Sequence, residues 1–113
     1  MQKKYRLKKN KDYQKLYKTG KSFACKYLIL HYAPLKDKTA LSIGFSVSGK
    51  LGKAVKRNKL RRQIKEATRH LLSNIPRGYN LIITARTTAA GIPYKTISDS
   101  IKYMLKKTNL WLG

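Results

Sequence analysis

The chain has 113 residues, enough for one domain built on one modest core, and its 27 Lys and Arg against four Asp and Glu give a formal net charge of +23. So large an excess is far beyond the roughly 2 to 8 charges that keep a small domain soluble, and it repels itself unless a polyanion neutralises it, most commonly a nucleic-acid backbone. The longest apolar stretches, Tyr27 to Leu30 and Leu81 to Ile83, fall far short of the ~20 residues a membrane-spanning helix needs, which argues against a membrane partner.

The N-terminal run MQKKYRLKKNKDY is basic and lacks the apolar centre of a secretory signal, so the protein is expected in the cytoplasm. Cys25 is the one cysteine; with no second Cys for a disulfide or a metal site it reads as a small buried hydrophobe. Residues 1–9 read as a flexible basic arm of a single RNA-binding domain that spans 1–113. Asn10 then caps a short helix from Lys11 to about Thr19, in which Tyr13, Leu16 and Tyr17 share a face and Gly20 is the stop.

Phe23 to Ala33 is aromatic and aliphatic without Gly or Pro, which predicts one strand. Its alternation places Phe23, Cys25, Tyr27, Ile29 and His31 on one side and Ala24, Lys26, Leu28, Leu30 and Tyr32 on the other. The segment from Pro34 to Thr39 is expected to be a hairpin loop into a second strand, Ala40 to Val47, where Leu41, Ile43, Phe45 and Val47 alternate with Ala40, Ser42, Gly44 and Ser46. A long helix from about Lys53 to Ser73 carries the apolar stripe Leu60, Ile64, Ala67 and Leu71, and Pro76 and Gly78 end it. Tyr79 to Ala85 reads as a central strand covered on both faces, and a last helix near Tyr94 to Lys107 buries Ile97, Ile101, Met104 and Leu105. The expected fold class is α+β, a single-domain αββαβα sandwich with helices packed on a small sheet.

The functional signal lies in the long helix. Followed back from Leu60, its apolar stripe turns into Lys53, Lys56 and Arg57, so the first two turns project beyond the core or line its edge. Arg61, Arg62, Lys65 and Arg69 cover its outward side, and only Glu66 opposes them. Cations at a helix N-terminus oppose the macrodipole, and an anion such as phosphate offsets this through the free N–H groups of the first turn. The preceding loop, Ser46 to Gly52, adds two hydroxyls and two glycines but lacks the Lys-Ser/Thr ending of a nucleotide-binding P-loop.

The run from Gly44 to Ala67, GFSVSGKLGKAVKRNKLRRQIKEA, resembles the signature of the protein subunit of bacterial ribonuclease P, with its Arg-Asn-Arg core in a basic helix. Arg6-Leu-Lys-Lys-Asn10, the spacing of Asp12-Tyr13 and Tyr17, and Leu81-Ile-Ile-Thr-Ala-Arg86 extend the likeness over nearly the whole chain. Two positions depart from the pattern: Lys59 stands for the motif's second Arg, a point charge in place of a planar fork, and Gly49 stands where the family usually has Lys.

The resemblance implies a left-handed βαβ crossover, against the usual right-handed rule. It also implies a chain that joins a large catalytic RNA to remove the 5′ leader of precursor tRNA, with magnesium expected alongside the RNA and no obligatory protein partner. By the same likeness Lys53, Arg57, Asn58, Arg61, Arg62 and Lys65 contact the catalytic RNA, with Lys56 and Lys59 as weaker candidates. Tyr13, Tyr17, Ile29 and His31 match a cleft for the single-stranded leader, with Tyr27 on the same predicted face.

A catalytic role for the protein's own side chains lacks the residues for it. The four acids, Asp12, Asp37, Glu66 and Asp99, are scattered, and His31 and His70 fall on different elements. Composition alone leaves open a ribosomal or chaperone-like RNA-binding protein, and an autonomous ribonuclease is the third alternative.

Overall fold

The computed structural model describes residues 10–113. The expected arm over 1–9, and the side chain of Asn10 expected to cap the first helix, lie outside the described residues. The elements are α1 (Asn10–Thr19), β1 (Lys21–Ala24), β2 (Leu28–Pro34), β3 (Leu41–Val47), α2 (Ala54–Leu71), β4 (Tyr79–Ala85) and α3 (Tyr94–Lys107), with short 3-10 turns at Gly49–Leu51, Leu72–Asn74 and Thr87–Ala89. The strands form one sheet in the order β1-β2-β4-β3. β4 pairs antiparallel with β2 and parallel with β3, and β1 pairs antiparallel with β2. The chain is an α+β domain with helices on both faces of a small mixed sheet.

Two expectations are corrected. The stretch expected as one strand is a hairpin, β1 and β2, that turns at Cys25, Lys26 and Tyr27. No Gly or Pro marks this turn, because its carbonyls are satisfied from far along the chain. Arg86 Nη1 donates to Cys25 O at 2.7 Å, Thr88 Oγ1 donates to Lys26 O, and Arg86 N donates to Tyr27 O at 2.9 Å. The turn also reverses the predicted faces: Phe23 pairs with Leu30, so it lies opposite His31 rather than beside it.

The segment after Pro34, secondly, is not a hairpin loop between hydrogen-bonded neighbours, since β4 lies between β2 and β3. It bridges across the start of β4 instead, with Leu35 N donating to Gly78 O at 2.7 Å and Gly78 N to Ala40 O at 2.5 Å.

The core fills one face of the sheet. Leu28, Leu30, Leu41, Ile43, Val47, Leu81, Ile83 and Ala85 pack there against Leu60, Ile64 and Ala67 of α2 and Ile97, Ile101, Met104 and Leu105 of α3. Thr68 is fully buried in α2 without penalty, because its Oγ1 donates to Ile64 O at 2.8 Å. α1 covers the opposite face, which carries smaller and more polar residues.

Candidate RNA-facing surfaces

The alternation of β3 decides what α1 can sit on. Its core-side residues are large and its other side is Ser42, Gly44 and Ser46. Register places His31, Ile82 and Gly44 in one row across the sheet, and Ile29, Thr84 and Ser46 in the next. The two tyrosines of α1 stand over the ends of the first row. Tyr17 meets the His31 ring edge-on with centroids 4.7 Å apart, and Tyr13 lies against Gly44 and accepts a hydrogen bond from Phe45 N at 3.2 Å. Only a residue without a side chain fits beneath Tyr13, since a β-carbon at residue 44 would stand 2.5 Å from the Tyr13 oxygen. Leu16 between them is buried, while Tyr17 keeps 42% of its surface exposed, one turn away from Tyr13 at 6.5 Å between rings.

The structure therefore brings Tyr13, Tyr17, Ile29 and His31 onto one face, as the spacing and the resemblance predict. Tyr27 is not among them. It sits in the β1–β2 turn, packs against the main core, and has the Lys26 ammonium 5.4 Å from its ring. Partial burial of His31 pushes its pKa below the ordinary value of 6.5, so the cleft holds a neutral imidazole at neutral pH. Thr84 Oγ1 and Asn80 Oδ1, on the floor of this face, are buried without a hydrogen-bond partner.

The basic stretch has the arrangement that its pattern predicts. Lys53 is the N-cap residue of α2 and offers no side-chain cap, so the first-turn N–H groups have no partner from it. Val55 is 78% exposed, and burial begins only at Leu60. Lys53, Lys56, Asn58, Lys59 and Arg62 are exposed; Arg57, Arg61 and Lys65 form a half-buried stripe four residues apart. Arg57 Nε donates to Gly52 O at 3.1 Å, Arg61 Nη1 donates to Asn58 Oδ1 at 2.9 Å, and Lys65 Nζ lies 6.0 Å from the Phe45 ring.

Glu66 does not compensate this stretch. It is engaged towards the C-terminus by Arg69 at 2.6 Å and His70 at 3.0 Å, and the Arg69 hydrogen bonds above all lower its pKa to about 2. Beside the first turns lies a groove of about 580 Å³ bounded by Lys53, Lys56, Lys59, Ala90, Gly91 and Ile92. The contribution of 90–92 carries no local sequence signal, because it depends on the 3-10 turn after β4 meeting the one before α2.

The two surfaces share a wall. Phe45 of β3 donates its backbone N–H to Tyr13 on one face, while its ring lies beneath Lys65 on the other. Gly49 stands in open space, with nothing within 4 Å of where a β-carbon would be, so the missing family lysine leaves the local packing unchanged. Among the described residues no three His, Cys, Asp or Glu side chains converge as a metal site would need. No helix among them is long and apolar enough to cross a membrane.

Comparison with known proteins gives one consistent result. The sequence model of the family described as Ribonuclease P matches residues 1–109. The ribonuclease P protein component of Clostridioides difficile (strain 630) is 45% identical over 106 residues, covering 92% of this chain and 91% of its own. That of Clostridium kluyveri is 41% identical over 110 residues, covering 95% and 96%. Among solved structures, the Staphylococcus aureus RNase P protein superposes with a TM-score of 0.87 at 36% identity, covering 95% of this chain and 97% of that one. The RNase P protein of Thermotoga maritima gives 0.81 at 26% identity, covering 90% and 96%. With a family match over residues 1–109, and relatives and solved structures each covered over nine-tenths or more of their length, this chain belongs to the ribonuclease P protein family.

Proposed function

We propose that the chain is the non-catalytic protein subunit of ribonuclease P, holding the catalytic RNA with α2 and the 5′ leader of precursor tRNA in the α1 cleft, while the RNA carries out the cleavage. The observation that carries the reading is the shared wall at β3, which sets a cationic stripe and an aromatic cleft back to back within one residue, Phe45. An RNA scaffold on one side and a single strand on the other then lie close enough for one small domain to bridge them.

Each surface suits its ligand chemically. Arg57, Arg61, Arg62, Lys53 and Lys65 supply charge-assisted donors to phosphates, Asn58 orients Arg61, and the open first turn of α2 adds backbone N–H groups. Rings at Tyr17 and His31, with Ile29 beside them, offer base-stacking faces worth about 1 to 3 kcal/mol each without demanding a sequence. The two histidines stand on opposite faces of the sheet, His31 on β2 facing α1 and His70 on α2 paired with Glu66, so they do not share a site as general acid and base. In this reading magnesium acts with the RNA, and the holoenzyme needs no further protein and works in the cytoplasm.

The deciding experiment mixes the chain with its cognate RNA and measures precursor tRNA cleavage at low magnesium. Cleavage above that of the RNA alone, and tighter binding of precursor than of leaderless tRNA, is the expected result. No enhancement overturns the proposal, and cleavage by the protein alone overturns the assignment of the chemistry to the RNA.

A further inference from the structure

The outer face of α3 holds a second concentration of cations and rings, on the side of the sheet opposite the α1 cleft. Lys102 and Lys106, one turn apart, each hold an ammonium 5.5 Å from the centre of the Trp111 ring. Lys107 lies 5.7 Å from the Tyr103 ring, which in turn stands 6.1 Å from Phe23 of β1. All three lysines are exposed, Tyr103 is 49% exposed, and Trp111 is half-buried. The tail that presents Trp111 is anchored, because Leu110 is buried and Leu112 N donates to Asn74 O at 2.8 Å.

The field of the helix C-terminus accounts for Lys106 and Lys107. It does not account for Lys102, a full turn earlier, nor for two rings among these cations. The one acid on α3, Asp99, is taken by Lys95 at 3.0 Å, so no carboxylate of the helix neutralises the patch.

We propose that this face is a further RNA-binding surface, which takes a single-stranded segment by stacking bases on Trp111 and Tyr103 while Lys102, Lys106 and Lys107 neutralise the flanking phosphates. An ammonium resting over a ring marks a π-face open to a ligand. A base that displaces it keeps the ring covered, and the freed lysine moves to the neighbouring phosphate. Duplex RNA hides its base faces and cannot use the rings, and an acidic protein surface pairs the lysines but leaves the rings uncovered. A strand seated against Tyr17 and His31 is on the other face of the sheet, so the segment bound at α3 is a separate stretch of RNA. The inference therefore stands apart from the leader assignment.

Trp111 is the only tryptophan of the chain, so its fluorescence reports on this face alone. The intact protein, and a variant carrying R57A, R61A and Tyr17→Ala, are titrated with an oligouridylate of about a dozen nucleotides. Both should show the same saturable quenching. Substituting Lys102→Ala and Lys106→Ala, both exposed and checked by thermal melting, should weaken binding and lower the slope of log affinity against log salt by roughly 1.4, at ~0.7 for each phosphate that is no longer neutralised. Absence of quenching, or its loss in the Arg57, Arg61 and Tyr17 variant when its own melting curve shows it folded, overturns the proposal. So does equal quenching by a duplex of the same length, or by polyglutamate, which would assign the patch to an acidic protein partner.

Discussion

Gly44→Ala tests how α1 is held on the sheet. A β-carbon at residue 44 would stand 2.5 Å from Tyr13 Oη, 2.6 Å from Cζ and 2.8 Å from Cε1. The ring cannot slide along the strand, because its oxygen accepts the Phe45 N–H at 3.2 Å. It must swing out, which breaks that hydrogen bond and lifts the first turns of α1. Overpacking of this kind costs about 1 to 3 kcal/mol, and the hydrogen bond adds ~0.5 to 1.5 kcal/mol. In a Tyr13→Ala background the obstacle is gone, and Ala should then be better than Gly in a strand by roughly 0.5 to 1 kcal/mol. Urea unfolding of the two single variants and the double variant measures this, with the sign of the Gly44→Ala effect reversing between backgrounds. An equal loss in both would show that Tyr13 is not what residue 44 makes room for.

His31 has a folded pKa below 6.5, from desolvation, so the neutral ring is favoured by folding; the stability it contributes is complete above 6.5 and is lost as pH falls through that value towards the folded one. An NMR titration with a midpoint at or above 6.5, or a stability profile unchanged by His31→Gln between about pH 8 and pH 5, refutes this. Glu66, lowered from 4.5 to about 2 chiefly by the Arg69 hydrogen bonds, contributes above 4.5 and loses that contribution as pH falls towards about 2, so its carboxyl resonance should still report an ionised group near pH 3; a midpoint at 4.5 refutes the pairing. Sodium sulfate should stabilise the protein more than sodium chloride of equal ionic strength, by about 2.7 kcal/mol of unfolding free energy for a site whose anion stands at 100 times its Kd, read as a higher Tm; a flat Tm refutes the uncompensated-charge reasoning.

What is legible in the sequence is whatever is encoded in one element. The stripes of α2 and α3, the shared face of Tyr13, Leu16 and Tyr17, and the point at which the long helix changes from apolar to cationic all follow from periodicity, and the structure has them. The β1–β2 turn is not legible because it is made by distant partners. Arg86 and Thr88 hold the carbonyls of Cys25 and Lys26 across 61 and 62 residues, and Arg86 N holds that of Tyr27, so a segment with strand propensity throughout reverses without a turn residue. That reversal also removes Tyr27 from the cleft. The insertion of β4 between β2 and β3 is hidden for a related reason: sequence-adjacent strands usually pair, whereas here the chain between β3 and β4 crosses over through α2 and joins them as a parallel pair. Gly44 does carry a usable signal, since a strand with Ser, Gly and Ser on alternate positions has one face shaped to receive something close.

The two faces of the sheet differ in how much of the core they carry. One face is a continuous apolar core under two long helices, and it supplies the free energy that tolerates a charge of +23. The other is covered by α1, which with 10 residues is shorter than the ~12 to 15 at which an isolated helix is even marginal. It stays folded through Leu16, the Tyr13 hydrogen bond and the Tyr17–His31 contact. Two of those three contacts are made by the side chains that also build the cleft. The opening of α1 is therefore set by fewer buried groups than global unfolding, and a strand that fills the cleft adds contacts where the native state has least to lose. It follows that a tyrosine-to-alanine variant in α1 removes the proposed leader contact and a structural one together. Its effect on RNA binding is interpretable only beside its own melting curve, whereas Arg57 and Arg61 lie outside α2's apolar stripe, and their side-chain hydrogen bonds among the described residues go to Gly52 O and Asn58 Oδ1 of the same segment.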